Sequence, residues 1–227
     1  MQGVITQISQ LTHDVKSFHI HVPERPAFLP GQYLILGLEA QGAFHERSYS
    51  IASPNHWENV EILVKLHPGG KLTPELFDKQ VGHPVDVQMP YGMFKLYDDN
   101  IPANMVFIAG GVGLAPLLSM IRHLEWKGHQ GGKTLIYGNR TPYDIVHKDE
   151  LNRLAKSGQL KLVYTVDNAE DSWEGEQGLI TPEMIDQHCD VEESHFYICG
   201  PPMMVDGMVE NLGSLHVPHD RINHERW

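Results

Sequence analysis

The sequence predicts two domains, a small antiparallel β-barrel over residues 1–100 followed by a doubly wound parallel α/β domain over residues 101–227. Two patterns along the chain support this fold class. Up to about residue 89, short runs alternate apolar and polar residues between Pro and Gly, whereas from residue 105 continuous apolar runs alternate with helical spacing. The stretch 97–102 between them is polar and rich in turn-forming residues, so we expect the domain boundary there.

The first half contains strand candidates and one short helix. Strands are expected at 17–22, 32–38, 60–66 and 85–89. The Thr73 hydroxyl could cap exposed helix amides, Pro74 suits a first helical position, and the Glu75 carboxylate favours the positive end of a helix. We therefore expect a helix that begins at Thr73.

The second half alternates strands and helices. Strands are expected at 105–109, 134–137, 160–166 and 196–199, and a helix at 114–127. Such alternation is typical of a parallel sheet wound with helices, which places ligand sites at the carboxyl ends of its strands. We therefore expect the segments that follow these strands to carry function.

The composition excludes several classes of protein. Apolar residues make up 41% and charged residues 20% of the chain, as in ordinary folded proteins. The formal charge of −12 disfavours nucleic-acid binding. The apolar stretch 105–120 is broken by glycine and proline, and the first residues lack a signal-peptide pattern, so we expect no transmembrane segment and a cytoplasmic location.

No metal site is expected. Cys189 and Cys199 are the two cysteines of the chain, too few for an iron–sulfur cluster or a typical structural zinc site. Among fifteen histidines, His19 and His21 lie in an alternating strand pattern with no third ligand beside them. Any redox centre must therefore be a bound organic cofactor.

A first motif lies at 47–54 and is preceded by Pro-Gly-Gln-Tyr at 30–33. In this order and spacing, the two segments resemble the flavin-binding half of the ferredoxin–NADP reductase superfamily. The resemblance implies that Arg47, Ser48, Tyr49 and Ser50 bind the flavin. Arg47 could fork onto a phosphate, Tyr49 could stack on the isoalloxazine ring, and the Ser50 hydroxyl could approach the reactive flavin nitrogen.

A second flavin segment follows the strand at 60–66, where a glycine pair leads into the short helix. Glycine lets the backbone approach a phosphate closely, and the free amides of a helix start attract an anion. The segment resembles the family's second flavin-phosphate segment, and this resemblance implies contacts from Lys65, Gly69, Gly70, Lys71, Leu72 and Thr73. The turn at 90–94 resembles the one that closes such flavin domains.

The glycine turn formed by Gly110, Gly111, Val112 and Gly113 resembles the corresponding turn in the nicotinamide half of the family. It does not match the Gly-x-Gly-x-x-Gly fingerprint. In the family this turn makes room for the pyrophosphate of the dinucleotide and lets the nicotinamide reach the flavin. Many members carry Thr at the position of Val112, so we expect one hydroxyl contact to be missing here.

The adenosine end of the dinucleotide is expected at Asn139 and Arg140, which follow the second strand of this half. Arg140 could pair with a 2′-phosphate or stack on adenine, and no acidic residue clearly marks a free 2′-hydroxyl. The sequence therefore leaves NADH and NADPH open as electron donors.

The chain also resembles the family at its Cys-Gly-Pro segment, which is formed here by Cys199, Gly200 and Pro201. There it lies beside the nicotinamide ring, and Cys199 would help to orient the ring for hydride transfer. The final residues resemble the plant-type arrangement, in which a C-terminal aromatic ring covers the flavin and a nearby carboxylate assists proton transfer; these positions are Trp227 and Glu225. The resemblance thus gives Ser50, Cys199 and Glu225 catalytic roles.

Together the motifs imply a six-stranded antiparallel flavin barrel and a doubly wound nicotinamide domain. The expected activity is hydride transfer from NADH or NADPH to bound FAD, or less commonly FMN, followed by electron transfer to a separate acceptor. Ferredoxin, a cytochrome, an oxygenase component or a small molecule could accept the electrons. Two alternatives stay open: a flavin reductase that uses free flavin as substrate, and an electron-transfer subunit active only in a larger complex.

Overall fold

The computed structural model describes residues 1–227 and contains two six-stranded sheets. The first sheet is antiparallel throughout, with the strand order β4-β3-β6-β1-β2-β5. Its strands are β1 (Gln2–Gln10), β2 (Val15–His21), β3 (Tyr33–Ala40), β4 (Ala43–Ser50), β5 (Val60–Lys65) and β6 (Pro84–Tyr91). The helix α1 (Thr73–Phe77) lies between β5 and β6. The predicted antiparallel six-stranded architecture is confirmed.

The barrel closes at one narrow seam. The strands β4 and β5 stand at opposite ends of the strand order, and an isolated antiparallel bridge between Ile51 and Ile62 joins the two sides. We call this side of the barrel the seam, formed by residues 47–52 and 61–66. Inside the barrel, a cluster of 18 buried apolar residues forms the core, with Phe18, Leu34 and Ile62 fully buried.

The second sheet is parallel, with the order β10-β9-β8-β7-β11-β12. Its strands are β7 (Asn104–Gly110), β8 (Gly132–Asn139), β9 (Lys161–Val166), β10 (Glu176–Gln177), β11 (His195–Gly200) and β12 (Ile222–Arg226). Its helices are α2 (Leu114–Trp126), α3 (Lys148–Lys156), α4 (Pro182–His188) and α5 (Pro202–Ser214). The strand order reverses between β7 and β11, so the carboxyl ends of these strands form a topological switch point.

Helices cover both faces of this sheet. The apolar side chains of α2 and α3 pack on one face, in a cluster of 24 residues, and those of α4 and α5 pack on the other. Burial on both faces explains why β7 is a continuous apolar run. The predicted doubly wound domain is therefore confirmed.

The two sheets share an apolar core. The cluster that covers one face of the parallel sheet also includes Val15, Leu63 and Phe94 from the barrel side, packed with residues such as Leu117 and Leu118 of α2. The helix α2 consequently sits between the sheets. No helix of the chain is both long and apolar enough to cross a membrane.

The prediction that Thr73 caps α1 was wrong. The residue at the N-cap is Leu72, which has helical angles of φ −93° and ψ −47° and provides no side-chain cap. The Thr73 hydroxyl instead accepts a hydrogen bond from the His67 amide at 3.0 Å and lies 3.2 Å from the His67 carbonyl. These contacts close the glycine-containing loop on itself and compete with capping.

Candidate functional site

A cavity of about 730 Å³ opens at the carboxyl ends of the parallel strands, on the side that meets the barrel. Its size is in the range of small-molecule sites. Residues from the ends of several parallel strands and from the barrel line it, among them Gly110, Gly111, Val112, Asn139, Arg140, Asp167, Pro201, Trp227, Asp14 and Lys65. We call it the nucleotide cavity, because the structure brings the predicted nicotinamide segments together here.

The turn after β7 is closely packed and requires glycine at Gly113. A Cβ atom at Gly113 would overlap the Cys199 carbonyl and lie 2.8 Å from the Gly200 Cα atom. At Gly110 it would overlap the Met204 sulfur atom. Gly111 has a φ of +53° and no atom within 4 Å of its Cβ position, so it borders open space. The turn thus presents bare backbone to the cavity, as close approach to a pyrophosphate requires.

Polar groups without protein partners mark the far end of the cavity. Asn139 is buried, and neither its amide nitrogen nor its carbonyl oxygen has a hydrogen-bond partner. Since buried polar atoms are normally paired, the side-chain amide of Asn139 is suited to bonding a polar ligand. Arg140 beside it is exposed and also lines the cavity. The glycine turn and Asn139 together fit a dinucleotide.

Asp167 was missed by the sequence reasoning, which found no acidic residue at this end. It directly follows β9, its amide donates to the Asn139 carbonyl at 3.0 Å, and it lines the same cavity as Arg140. Its position at the carboxyl end of a parallel strand was a signal that could have identified it.

The predicted flavin segments lie along the seam of the barrel. Beyond the Ile51–Ile62 bridge, β4 and β5 do not pair with each other. In a continuous antiparallel ladder Tyr49 would lie opposite Val64, but the two strand edges are unpaired at this position. The buried Tyr49 hydroxyl has no partner, and burial raises the pKa of this phenol. An unpaired strand edge beside an orphan hydroxyl fits a bound polar cofactor.

The remaining flavin-segment residues differ in their placement. Ser48 and Arg47 are exposed on β4, and the Arg47 guanidinium donates to the Glu46 carbonyl at 2.6 Å. Ser50 is half-buried at the end of β4. In the second segment, Gly69 and Lys71 are exposed, Gly70 and Thr73 are half-buried, and Leu72 is buried in the barrel core.

Lys65 faces the nucleotide cavity. Its ammonium lies 3.2 Å from the Asp14 carboxylate, and both residues line that cavity. Because Lys65 is the last residue of β5, it lies where the seam meets the cavity. The two predicted cofactor segments are therefore contiguous in space.

Cys199 and Glu225 lie side by side on β11 and β12, where their Cα atoms are in register. Cys199 is 1% exposed, and burial raises the pKa of its thiol. Burial also raises the pKa of the Glu225 carboxyl to about 7. Pro201 and Trp227 reach the cavity wall, and the Trp227 amide lies 3.4 Å from the Gly200 carbonyl. Cys199 and Glu225 themselves are not among the residues that line the cavity.

Replacing Arg47 with alanine is expected to weaken flavin binding by roughly 10- to 100-fold, because a charge-assisted hydrogen bond contributes about 1.5–3 kcal/mol. The flavin dissociation constant, measured by quenching of flavin fluorescence, tests this. Arg153→Ala, on the exposed side of α3, is the matched control. Equal dissociation constants for the Arg47 variant and the unaltered protein would refute the contact.

Comparisons with known proteins cover both halves of the chain. The family model described as "Oxidoreductase FAD-binding domain" matches residues 2–96, and "Oxidoreductase NAD-binding domain" matches residues 107–210. The propane 2-monooxygenase reductase component of Rhodococcus jostii is 34% identical over 98% of this chain, which spans 62% of that relative's length. NADH-cytochrome b5 reductase 1 of Neosartorya fischeri is 32% identical over 93% of this chain and 73% of that relative's length. The solved ferredoxin reductase in carbazole 1,9a-dioxygenase superposes with a TM-score of 0.85 at 29% identity, covering 100% of this chain and 68% of its own.

Proposed function

Because the chain belongs to the ferredoxin–NADP reductase family of FAD- and NAD-binding oxidoreductases, we propose that it passes electrons from a reduced nicotinamide through FAD to a separate acceptor. The observation that carries this proposal is the continuity of the two predicted cofactor sites at Lys65, the last residue of β5, which lines the nucleotide cavity. When bound, FAD supplies the chemistry, since it accepts a hydride and can release electrons singly.

The residues of the chain bind and orient the two cofactors. The glycine turn offers backbone amides to the pyrophosphate, and the free side-chain amide of Asn139 offers hydrogen bonds near the adenosine. Arg47 and Tyr49 hold the flavin at the seam. Cys199, two residues before the cavity-lining Pro201, is the residue that we propose to orient the nicotinamide ring.

The acceptor that we propose is a redox protein, either an oxygenase component or a cytochrome. The relatives support this choice, because their names describe reductase components of monooxygenases and cytochrome b5 reductases. We also propose that the two domains divide between residues 100 and 101 and that the protein is cytoplasmic. The two free cysteines support a reducing compartment.

An anaerobic absorption spectrum of the purified protein tests the function. We expect retained flavin bands that bleach when a reduced nicotinamide is added. A colourless protein that oxidises the nucleotide only in the presence of added flavin would instead be a flavin reductase. Retained flavin that neither NADH nor NADPH bleaches would indicate a subunit that is active only in a larger complex.

We propose NADH as the preferred donor, because two carboxylates, Asp144 and Asp167, line the nucleotide cavity near Arg140. A 2′-phosphate adds negative charge that these carboxylates repel, whereas a free 2′-hydroxyl can donate to one of them. Asp167→Asn should raise the ratio of kcat/KM for NADPH over NADH by about tenfold. Asp171→Asn, on the same loop but outside the cavity wall, is the control, and an unchanged ratio in the Asp167 variant would reject the assignment.

Glu225 is expected to make turnover pH-dependent. Its raised pKa, about 7 because of burial, keeps the carboxyl protonated below neutral pH and charged above it. If it supplies a proton during turnover, kcat should fall as the pH rises through about 7. Glu225→Gln should remove this inflection, while Glu210→Gln, exposed on α5, should keep it. A profile from about pH 5.5 to 8.5 that is identical in the Glu225 variant would exclude the role.

A further inference from the structure

A buried charged cluster joins the two sheets outside the nucleotide cavity. Glu61 on β5 is 1% exposed and Arg122 on α2 is 5% exposed. Arg122 bonds the Glu61 carboxylate through Nη1 and forks onto the Glu150 carboxylate with distances of 2.8 and 2.6 Å. Its guanidinium also lies 4.7 Å from the centre of the Trp57 ring. Such a complete set of partners leaves Arg122 a single geometry.

The contacts of α2 with the barrel concentrate just after the flavin-binding strand β4. Arg122 donates to the Ala52 carbonyl at 3.0 Å, and the Ser119 hydroxyl donates to the Ser53 carbonyl at 2.7 Å. The backbone of Glu61 bonds the same two residues, at 2.7 Å to the Ala52 amide and 2.9 Å to the Ser53 hydroxyl. The side chain and the backbone of Glu61 therefore clamp α2 and the end of the seam together.

The same helix carries the nucleotide turn. Helix α2 begins directly after Gly113, and Arg122 lies nine residues further, or about 13 Å along the axis. Because α2 is one uninterrupted helix from Leu114 to Trp126, a shift at Arg122 moves the turn relative to the seam.

We propose that Arg122 is a positioning residue for hydride transfer, which sets the distance between the nucleotide turn and the flavin-binding strand through α2. This inference rests on the proposed function. Hydride transfer needs its reacting atoms about 3–3.5 Å apart, and a misplacement of about 1 Å can cost about 100-fold in rate. A rigid joint between the two binding segments meets that requirement.

The charges in the buried cluster balance one another, which supports a role of the cluster in positioning α2 against the barrel. His147 lies 3.1 Å from Glu61 and 3.3 Å from Glu150. Burial would lower the pKa of His147, but the two neighbouring carboxylates outweigh burial and raise the pKa. With His147 protonated, two cations balance two carboxylates. Since buried ion pairs often stabilise a fold no better than apolar side chains do, their directional bonds are the distinguishing property.

Arg122→Lys tests the inference, because lysine keeps the charge but cannot bond Ala52, Glu61 and Glu150 through a planar fork. In stopped-flow reduction of the bound flavin, we expect the limiting rate constant to fall about tenfold, while the dissociation constants of flavin and NADH change by less than about twofold. Hydrogen exchange of the Ile51 and Ala52 amides should become faster. Arg153→Lys, which alters the exposed ion pair of Arg153 with Glu125 between α3 and α2, should change none of these quantities.

Ser119→Ala provides a second variant if Arg122→Lys does not fold, since it removes one bond between the domains and leaves no buried charge. Its limiting rate constant should fall about threefold. The inference would be overturned if the folded variant, Arg122→Lys or in its place Ser119→Ala, reduced its flavin with the limiting rate constant of the unaltered protein. This holds whether or not the variant loses thermal stability. If neither nucleotide reduces the flavin of the unaltered protein, the proposed function itself fails, and the inference fails with it.

Discussion

Gly113→Ala is expected to lower the affinity for NADH by up to about 100-fold while the barrel keeps its flavin. The added methyl group would overlap the Cys199 carbonyl and crowd the Gly200 Cα atom, which belong to the backbone of the neighbouring strand β11. Strand backbone cannot yield as a flexible side chain can, so the turn must move away from the pyrophosphate. Overpacking costs roughly 1–3 kcal/mol, and 3 kcal/mol is about 100-fold in affinity.

Gly111→Ala is the matched control in the same turn. Its Cβ position borders open space, and its φ of +53° makes alanine strained but not overlapping. The strain costs about 1 kcal/mol, so the affinity should fall by less than about tenfold. Titration calorimetry with NADH and the flavin content of both variants give the comparison. An affinity of the Gly113 variant equal to or above that of the Gly111 variant would contradict the packing of the turn against β11.

Arg122→Met is expected to destabilise the protein by about 3–5 kcal/mol, the largest effect on stability that we foresee. Removing the guanidinium leaves the buried Glu61 carboxylate, 1% exposed, and the Glu150 carboxylate without their arginine, with His147 in contact with both. An unpaired buried charge is costly because neither water nor an opposite charge compensates its desolvation. Chemical denaturation, followed by tryptophan fluorescence, measures the loss.

The comparison for this variant is Arg153→Met. Arg153 also pairs with a glutamate of a neighbouring helix, Glu125 at 3.2 Å, but its side chain is 57% exposed. Solvent and salt weaken such a pair, so its removal should cost less than about 1 kcal/mol. Similar losses in the two variants would mean that burial does not strengthen the Arg122 cluster.

Eight of the twelve strands and the main helix of the fold were predicted, because their patterns are local. The continuous apolar run 105–109 lies inside β7, and the helical spacing at 114–127 differs from α2 only at its end. The order of the strands was not predictable in this way, since pairing depends on residues far apart in the chain. The Thr73 cap failed for a different reason: the backbone of His67, six residues earlier in the same loop, occupies the hydroxyl that the sequence pattern assigns to the helix.

In the candidate site, the sequence motifs indicated which segments bind the cofactors but not how these segments pack against one another. Asp167 has no motif around it, and only the placement of β9 beside β8 shows that it shares a cavity with Asn139 and Arg140. Arg122 and Glu61 are 61 residues apart, and each lies in a run that reads as apolar core. Periodicity reports which face of an element is buried, whereas a bond between two buried charges depends on how two domains pack.

The narrow seam of the barrel links the amount of folded protein to the supply of its cofactor. One bridge, between Ile51 and Ile62, completes the barrel wall where the predicted flavin segments lie. A ligand that contacts both sides of the seam binds the folded protein but not the unfolded chain, and it therefore stabilises the folded state. At a free flavin concentration about 100 times the dissociation constant, this stabilisation amounts to about 2.7 kcal/mol. Proteases remove the unfolded fraction in a cell, and flavin starvation would therefore lower the abundance of the protein before it limits turnover.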